Sequence, residues 1–211
     1  MRLHKRFSVT AAAFVFASTL AASSQALPAG PYGGSSDPPA AAVSTSTIHI
    51  DNFGRINQTY YRGAQPKGHD YADLAALGVK TIINLTSDDA DASERTSVER
   101  VGMKYVQIPM TTREQPNSSE LAEFLTLVND PANQPVYVHC VGGRHRTGVM
   151  TAAYRMTHDG WSADRAFSEM KQYKFGADFL HPEFKEFVYG YQANPAHAAA
   201  SVASSGAPSV R

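Results

Sequence analysis

Between Ile48 and Tyr191 the apolar positions switch repeatedly between a strand period and a helix period, which predicts alternating strands and helices. Ile48 to Phe53 and Thr59 to Arg62 read as short edge strands bounded by Asn and Gly. Tyr71 to Leu77 reads as a brief helix stopped by Gly78. Lys80 to Leu85, rich in β-branched residues, has the length and composition of a buried strand. Ala92 to Val101 reads as a helix closing at Gly102, and Lys104 to Ile108 as the next strand. Glu120 to Val128 sets Leu121, Phe124, Leu125 and Val128 on one helical face, with Ser118 or Ser119 as the cap. Val136 to His139 is a further strand. Three helices complete the pattern: Thr147 to His158, Ala163 to Tyr173 capped by Ser162, and Glu183 to Tyr191 with Pro182 at its first position.

Strands alternating with helices imply an α/β fold with a mostly parallel central sheet flanked by helices. Sites in such sheets lie beyond the carboxyl ends of the strands. The segments after Leu85, Ile108 and His139 are therefore expected to wall one pocket.

The two ends carry a different pattern. Arg2, His4, Lys5 and Arg6 form a basic head, Phe7 to Ala22 is largely apolar, and Ser24-Gln25-Ala26 fits a small-x-small cleavage site. Residues 1–26 thus read as a signal peptide, with an uncleaved membrane anchor as the competing reading. The apolar stretch is short for a membrane span. Export is expected, to a secreted or periplasmic location, with no membrane attachment after cleavage. Residues 27–47, rich in Pro, Gly, Ser and Ala, read as a disordered linker, and 193–211 as a disordered tail. One folded domain is expected over 48–192.

Lys plus Arg balance Asp plus Glu at 19 each, so nothing global points to nucleic acid as a partner. The single cysteine, Cys140, rules out an intramolecular disulfide. His69, His158 and His181 lack metal-ligand spacing and read as surface or capping residues. No metal and no other cofactor is implied.

The chemistry concentrates in His139-Cys140-Val141-Gly142-Gly143-Arg144-His145-Arg146-Thr147-Gly148. A strand delivers a cysteine to a short loop, and the loop opens a helix. Such a loop can turn its backbone N–H groups inward, and the helix N-terminus adds partial positive charge. A thiol among those donors and beside a guanidinium favours its thiolate, the form that attacks. Arg146 can fork onto two phosphate oxygens. The stretch reads as a phosphate cradle with Cys140 as nucleophile and with Val141, Gly142, Gly143, Arg144, His145 and Arg146 binding substrate. Arg144 and His145 could reach a highly charged substrate or point to solvent. Thr147 either offers its hydroxyl to the sulfur or caps the following helix.

HCVGGRHRTG resembles the HCxxGxxRTG signature of cysteine-based protein tyrosine and dual-specificity phosphatases. Its second half, Gly143 to Gly148, is most similar to the atypical dual-specificity phosphatases of plants and fungi, whose loop reads GKHRTG. Tyr61-Arg62-Gly63-Ala64-Gln65-Pro66 resembles the early YRS-x-x-P segment of that subgroup, and Asp130 to Pro135 the lead-in to its catalytic strand. The resemblance spans Ile48 to Tyr191, with Arg144 departing from the usual lysine. It implies the cysteine-phosphatase fold and a phosphatase acting through a phosphocysteine intermediate. A phosphorylated protein is the first expected substrate, and a polyphosphorylated small molecule such as an inositol polyphosphate or pyrophosphate the alternative. In the family the equivalent of His139 orders the loop and helps keep the thiol pKa low. A non-catalytic phosphate-binding module is a reading of another class, against which the intact Cys140 and Arg146 argue.

The general acid departs from the family pattern. Dual-specificity phosphatases carry an aspartate on the loop that here reads Pro109-Met110-Thr111-Thr112-Arg113-Glu114-Gln115-Pro116. Glu114 is its only acid, so the catalytic set is read as Cys140, Arg146 and Glu114. Asp88, Asp89, Asp91 and Asp178 are the other candidates. A departing phosphate, with a pKa of roughly 6 against roughly 10 for tyrosine, needs less protonation.

Overall fold

The computed structural model of the protein describes residues 45–194, Asp88 excepted. The strands are β1 (Gly54–Arg55), β2 (Tyr60–Gly63), β3 (Thr81–Asn84), β4 (Lys104–Gln107) and β5 (Val136–His139). They form one sheet in the order β1-β2-β5-β3-β4, in which β1 is antiparallel to β2 and all other pairs are parallel. The helices are α1 (Asp70–Ala76), α2 (Glu94–Arg100), α3 (Ser118–Asn129), α4 (Arg146–His158), α5 (Ala163–Gln172) and α6 (Pro182–Gly190). The expected α/β architecture with a mostly parallel sheet is the one observed.

Every residue of β2, β3 and β5 is buried, as parallel strands covered on both faces require, which is why they read as continuous rather than alternating runs. On one face Tyr61, Ile82 and Tyr137 pack with Tyr71 and Leu74 of α1 and Val98 of α2. On the other, Tyr60, Ile83, Val136 and Val138 pack with α3 through Phe124 and Leu125, α5 through Phe167 and Met170, and α6 through Phe184 and Val188. Each fully buried aliphatic or aromatic side chain of this kind contributes about 1.5–3 kcal/mol. Helix α4 lies deepest, with only Arg155 and His158 escaping burial. Its small residues permit this: Gly148 sits against the Met170 side chain, where a methyl group would be crowded.

Three expectations need correction. Ile48 to Phe53 is not a strand, because Asn52 adopts a left-handed φ of 57° that breaks the extended chain. The first strand is the two-residue β1 that follows it. Thr59 to Arg62 is not an edge strand, since β2 lies between β1 and β5. The cap of α3 is Asn117 rather than Ser118 or Ser119: its side chain accepts from the N–H groups of Ser119 and Glu120, and Glu120 returns a bond to the Asn117 N–H. Ser162 caps α5 as expected, accepting from Arg165 N–H. The expected signal peptide, most of the linker and most of the tail lie outside the described residues. Thr45–Thr47, at the end of the expected linker, form a 3-10 turn.

Candidate active site

Strand alternation divides the duties of β5. Val136, Val138 and Cys140 face the α4 side, while Tyr137 and His139 face α1 and α2. Beyond the strand the chain turns through residues 141–145 into α4. A loop that turns its N–H groups inward must turn its carbonyls outward, and each of those needs a donor. The Val141 carbonyl accepts from Gln65 N–H at 3.1 Å. The Gly143 carbonyl accepts from Arg62 Nη2 at 2.6 Å and from Asn52 Nδ2 at 2.8 Å. Gly143 has a φ of 63°, and a side chain there would overlap the Gly63 carbonyl of β2, so only glycine fits. The strained Asn52 thus braces the loop; its Nδ2 also donates to the Tyr173 carbonyl at 2.9 Å.

Burial pushes the Cys140 thiol pKa up, but the hydroxyl and N–H of Thr147, the Arg146 guanidinium and the Arg144 N–H outweigh it and hold the thiol below its ordinary value. The Thr147 hydroxyl has no other hydrogen-bond partner among the described residues. It is turned to the sulfur, and α4 starts at Arg146 with no side-chain cap, so of the two readings of Thr147 the capping one fails.

Arg146 is held from outside the loop. Nη1 and Nη2 donate to the two Asp89 carboxylate oxygens at 2.7 and 2.6 Å, and Nη1 also donates to the Met110 carbonyl at 3.1 Å. Burial works against its charge, but Asp89 and the Cys140 sulfur more than offset that and raise its pKa. The buried Nε–H has no hydrogen-bond partner among the described residues. The segments after β3 and after β4 both reach Arg146, the first through Asp89, the second through Met110, whose carbonyl also accepts from Ser87 Oγ.

The remaining candidates separate. Val141 and Arg144 are exposed, and Arg144 lies 3.8 Å from Asp51. His145 is half-buried: its Nε2 lies 3.0 Å from the Phe175 carbonyl and its ring 3.9 Å from that of His181. His139 is fully buried; Nδ1 lies 3.3 Å from the Cys140 carbonyl and Nε2 2.9 Å from Glu94 Oε1, in ion-pair range although the N–H is poorly aimed. Glu114 is exposed, with no hydrogen bond or ion pair among the described residues. Asp89 is tied to Arg146, which holds its carboxyl below the usual range. Asp91 accepts from Ser93 at the start of α2, and Asp178 sits between Lys171 and Lys185; both are likewise lowered. Asp88 lies outside the described residues.

Glu94, Arg62 and Asn52 were not singled out from the sequence as site residues, and His181 was read only as a surface or capping residue. Glu94 had a legible signal: it shares the inner stripe of α2 with Val98, and a carboxylate on such a stripe demands partners. It receives Asn84 Nδ2 at 2.5 Å and Tyr71 OH at 3.4 Å besides the His139 contact. The others left no such trace, because their contacts reach across distant elements.

A family model described as DSP-PTPase phosphatase fused to NAD+ kinase matches residues 41–185. The chain belongs to this family. Among curated relatives of this phosphatase-family chain, the inositol diphosphatase SIW14 of Saccharomyces cerevisiae is 28% identical over 138 residues, covering 63% of this chain and 49% of the relative. The dual specificity protein phosphatase TpbA of Pseudomonas aeruginosa is 29% identical over 139 residues, covering 66% and 62%. The chain thus spans about half to under two thirds of these relatives' lengths. The core catalytic domain of SIW14 superposes with a TM-score of 0.64 at 26% identity, covering 74% of this chain and 94% of that one. TpbA gives 0.60 at 26% identity, covering 72% and 91%. The cysteine-phosphatase fold and the resemblance to atypical dual-specificity phosphatases are both borne out.

Proposed function

We propose that this chain hydrolyses phosphate monoesters through a phosphocysteine intermediate. The observation that carries this reading is the Cys140 thiol, held below its ordinary value beside a buried Arg146 guanidinium whose outer nitrogens are forked onto Asp89 and whose Nε–H is left open. The Cys140 thiolate attacks phosphorus; the S–P bond forms and the P–O bond breaks, its electron pair departing with the leaving oxygen, which takes a proton. Water then attacks phosphorus, the S–P bond breaks, and inorganic phosphate leaves the thiolate behind. Loop N–H groups and Arg146 hold the equatorial oxygens and the charge they carry in the transition state. Thr147 donates to the sulfur as it departs.

A phosphotyrosine-bearing protein is the first substrate reading, supported by a TpbA variant solved in complex with pTyr, with a TM-score of 0.58 to this chain. A polyphosphorylated small molecule is the second, favoured by the tying-up of Asp89, Asp91 and Asp178 and by the exposed Arg113 and Arg144. Turnover of an aryl phosphate, a phosphotyrosine peptide and an inositol pyrophosphate by wild type and Cys140→Ser is the test. The variant should retain less than about one per cent of the activity while still binding phosphate. Higher residual turnover removes the mechanism, and binding without turnover in wild type leaves a phosphate-binding module.

We also propose that the chain is exported to a secreted or periplasmic location, a reading supported by the basic head and apolar stretch of residues 1–26. Fractionation of the expressing cell checks it, and an unprocessed chain in the cytosol would overturn it.

A further inference from the structure

Beneath the phosphate loop lies a cation that the mechanism above does not use. Arg62, in β2, is fully buried. Besides its bond to the Gly143 carbonyl, its guanidinium sits 4.0 Å from the centroid of the Tyr173 ring. Its Nε and Nη1 have no hydrogen-bond partner, and no carboxylate pairs with it among the described residues. A buried guanidinium without an anion is expensive, and burial duly pushes its pKa down.

The titratable groups facing Arg62 are Tyr60, Tyr137, Tyr173, Glu169 and Cys140. The Tyr137 hydroxyl donates to the Ala64 carbonyl and is kept protonated by burial. The Tyr60 hydroxyl is bonded to Thr151 and kept protonated by burial. Tyr173 presents its ring face. Glu169 is already forked onto Arg155. That leaves the Cys140 sulfur, at the end of the strand that pairs with β2, and it is the anion that the reaction makes and remakes.

We propose that Arg62 is a positioning residue of the active site: it pins the Gly143 carbonyl outward, so that the loop N–H groups face the phosphate, and its unshared charge stabilises the Cys140 thiolate and the anion bound above it. The proposal rests on the phosphocysteine reading, and it gives the YRG segment a physical task. A purely structural brace would need the hydrogen bond but not the charge.

The test separates the two. Arg62→Gln keeps an N–H donor for Gly143 and removes the charge; Arg62→Lys keeps the charge and loses the planar fork. Because Cys140 is the only cysteine, its alkylation by iodoacetamide as a function of pH reads the thiol pKa with no turnover involved. Failure of this proposal is thereby distinct from failure of the phosphatase reading, which wild-type turnover decides. In Arg62→Gln the alkylation midpoint should rise by about one pH unit, a tenfold loss of thiolate below the midpoint. In Arg62→Lys it should stay at the wild-type value. Phosphate should also raise the Tm of Arg62→Gln less than that of wild type. Equal midpoints in the folded glutamine variant and wild type would overturn the proposal, as would equal rises in both variants. If Arg62→Gln fails to fold, Arg62→Lys decides alone: a wild-type midpoint supports the charge role, and a rise of about one unit overturns it.

Discussion

Only 3% of the Arg146 side-chain surface is exposed, and it keeps its charge because Asp89 takes both terminal nitrogens. An ammonium in its place could answer Asp89 or the phosphate but not both. Arg146→Lys should therefore lose at least about 100-fold in kcat/KM, the scale of a lost transition-state donor. Near-normal steady-state kinetics with an aryl phosphate would remove Arg146 as the clamp. Asp89 itself is a matter of pH. Its folded pKa lies below the ordinary 3.8, first through the Arg146 hydrogen bonds, so its contribution is present above 3.8 and disappears as pH falls through the folded value. With 39% of the Asp89 side chain exposed, solvent screens the pair and the effect is modest. The Tm of wild type should exceed that of Asp89→Asn at neutral pH, and the gap should close on acidification below 3.8. A gap that is constant from neutral pH to acid would show that the pair is not ionic.

Elements meet at the loop through side chains that sequence periodicity does not reveal. The run Val136 to His139 and the helix after it were legible because burial on both faces and a strand-loop-helix order leave a local signature. The order of the strands was not, and neither was β1, since pairing partners are non-local and two residues carry no period. The same holds for the site: Cys140 and Arg146 announce themselves within one loop, whereas Glu94, Arg62 and Asn52 matter only once α2, β2 and the first turn are folded against it. Glu94 links α2 to β3 and α1 as an acceptor for Asn84 and Tyr71, with His139 of β5 close by. Glu94→Gln would turn an amide donor towards one of these donors. It should cost about 1–3 kcal/mol and weaken phosphate binding, read by denaturant unfolding and by phosphate titration. A variant of wild-type stability would mean that the buried contact is idle.

The loop is tied to α6 in a second, pH-dependent way. His145 is held below its ordinary 6.5, chiefly by burial and next by His181, with Arg144 and Arg146 adding to it against the Phe175 carbonyl. His181 in turn faces the Thr112 carbonyl and Glu183. Below 6.5 the unfolded chain takes up a proton that the folded loop resists, so stability is full above that pH and falls beneath it. His145→Gln keeps a donor for Phe175 and should flatten the fall in Tm between about pH 7 and 5. Parallel Tm profiles in the two proteins would exclude His145 as the source.

For the whole molecule, the remaining question is what the sheet and its loops present to a leaving group. Three of the four candidate aspartates are held as carboxylates by Arg146, Ser93 and the pair Lys171 and Lys185, and so are poor proton donors at neutral pH. Glu114, exposed on the loop between β4 and α3, is free of such ties among the described residues. If it protonates the leaving oxygen, Glu114→Gln should slow aryl phosphates in proportion to leaving-group basicity. A phosphoanhydride, whose leaving group is a phosphate with a pKa of roughly 6, should be slowed far less than a phenol with a pKa of roughly 10. The measurement is kcat/KM over aryl phosphates of graded leaving-group pKa, together with one inositol pyrophosphate, for wild type and Glu114→Gln. A steeper slope in the variant, with the pyrophosphate nearly unchanged, makes Glu114 the acid. Identical slopes would exclude it and leave protonation to Asp88 or to water; the latter favours a substrate whose leaving group departs as phosphate.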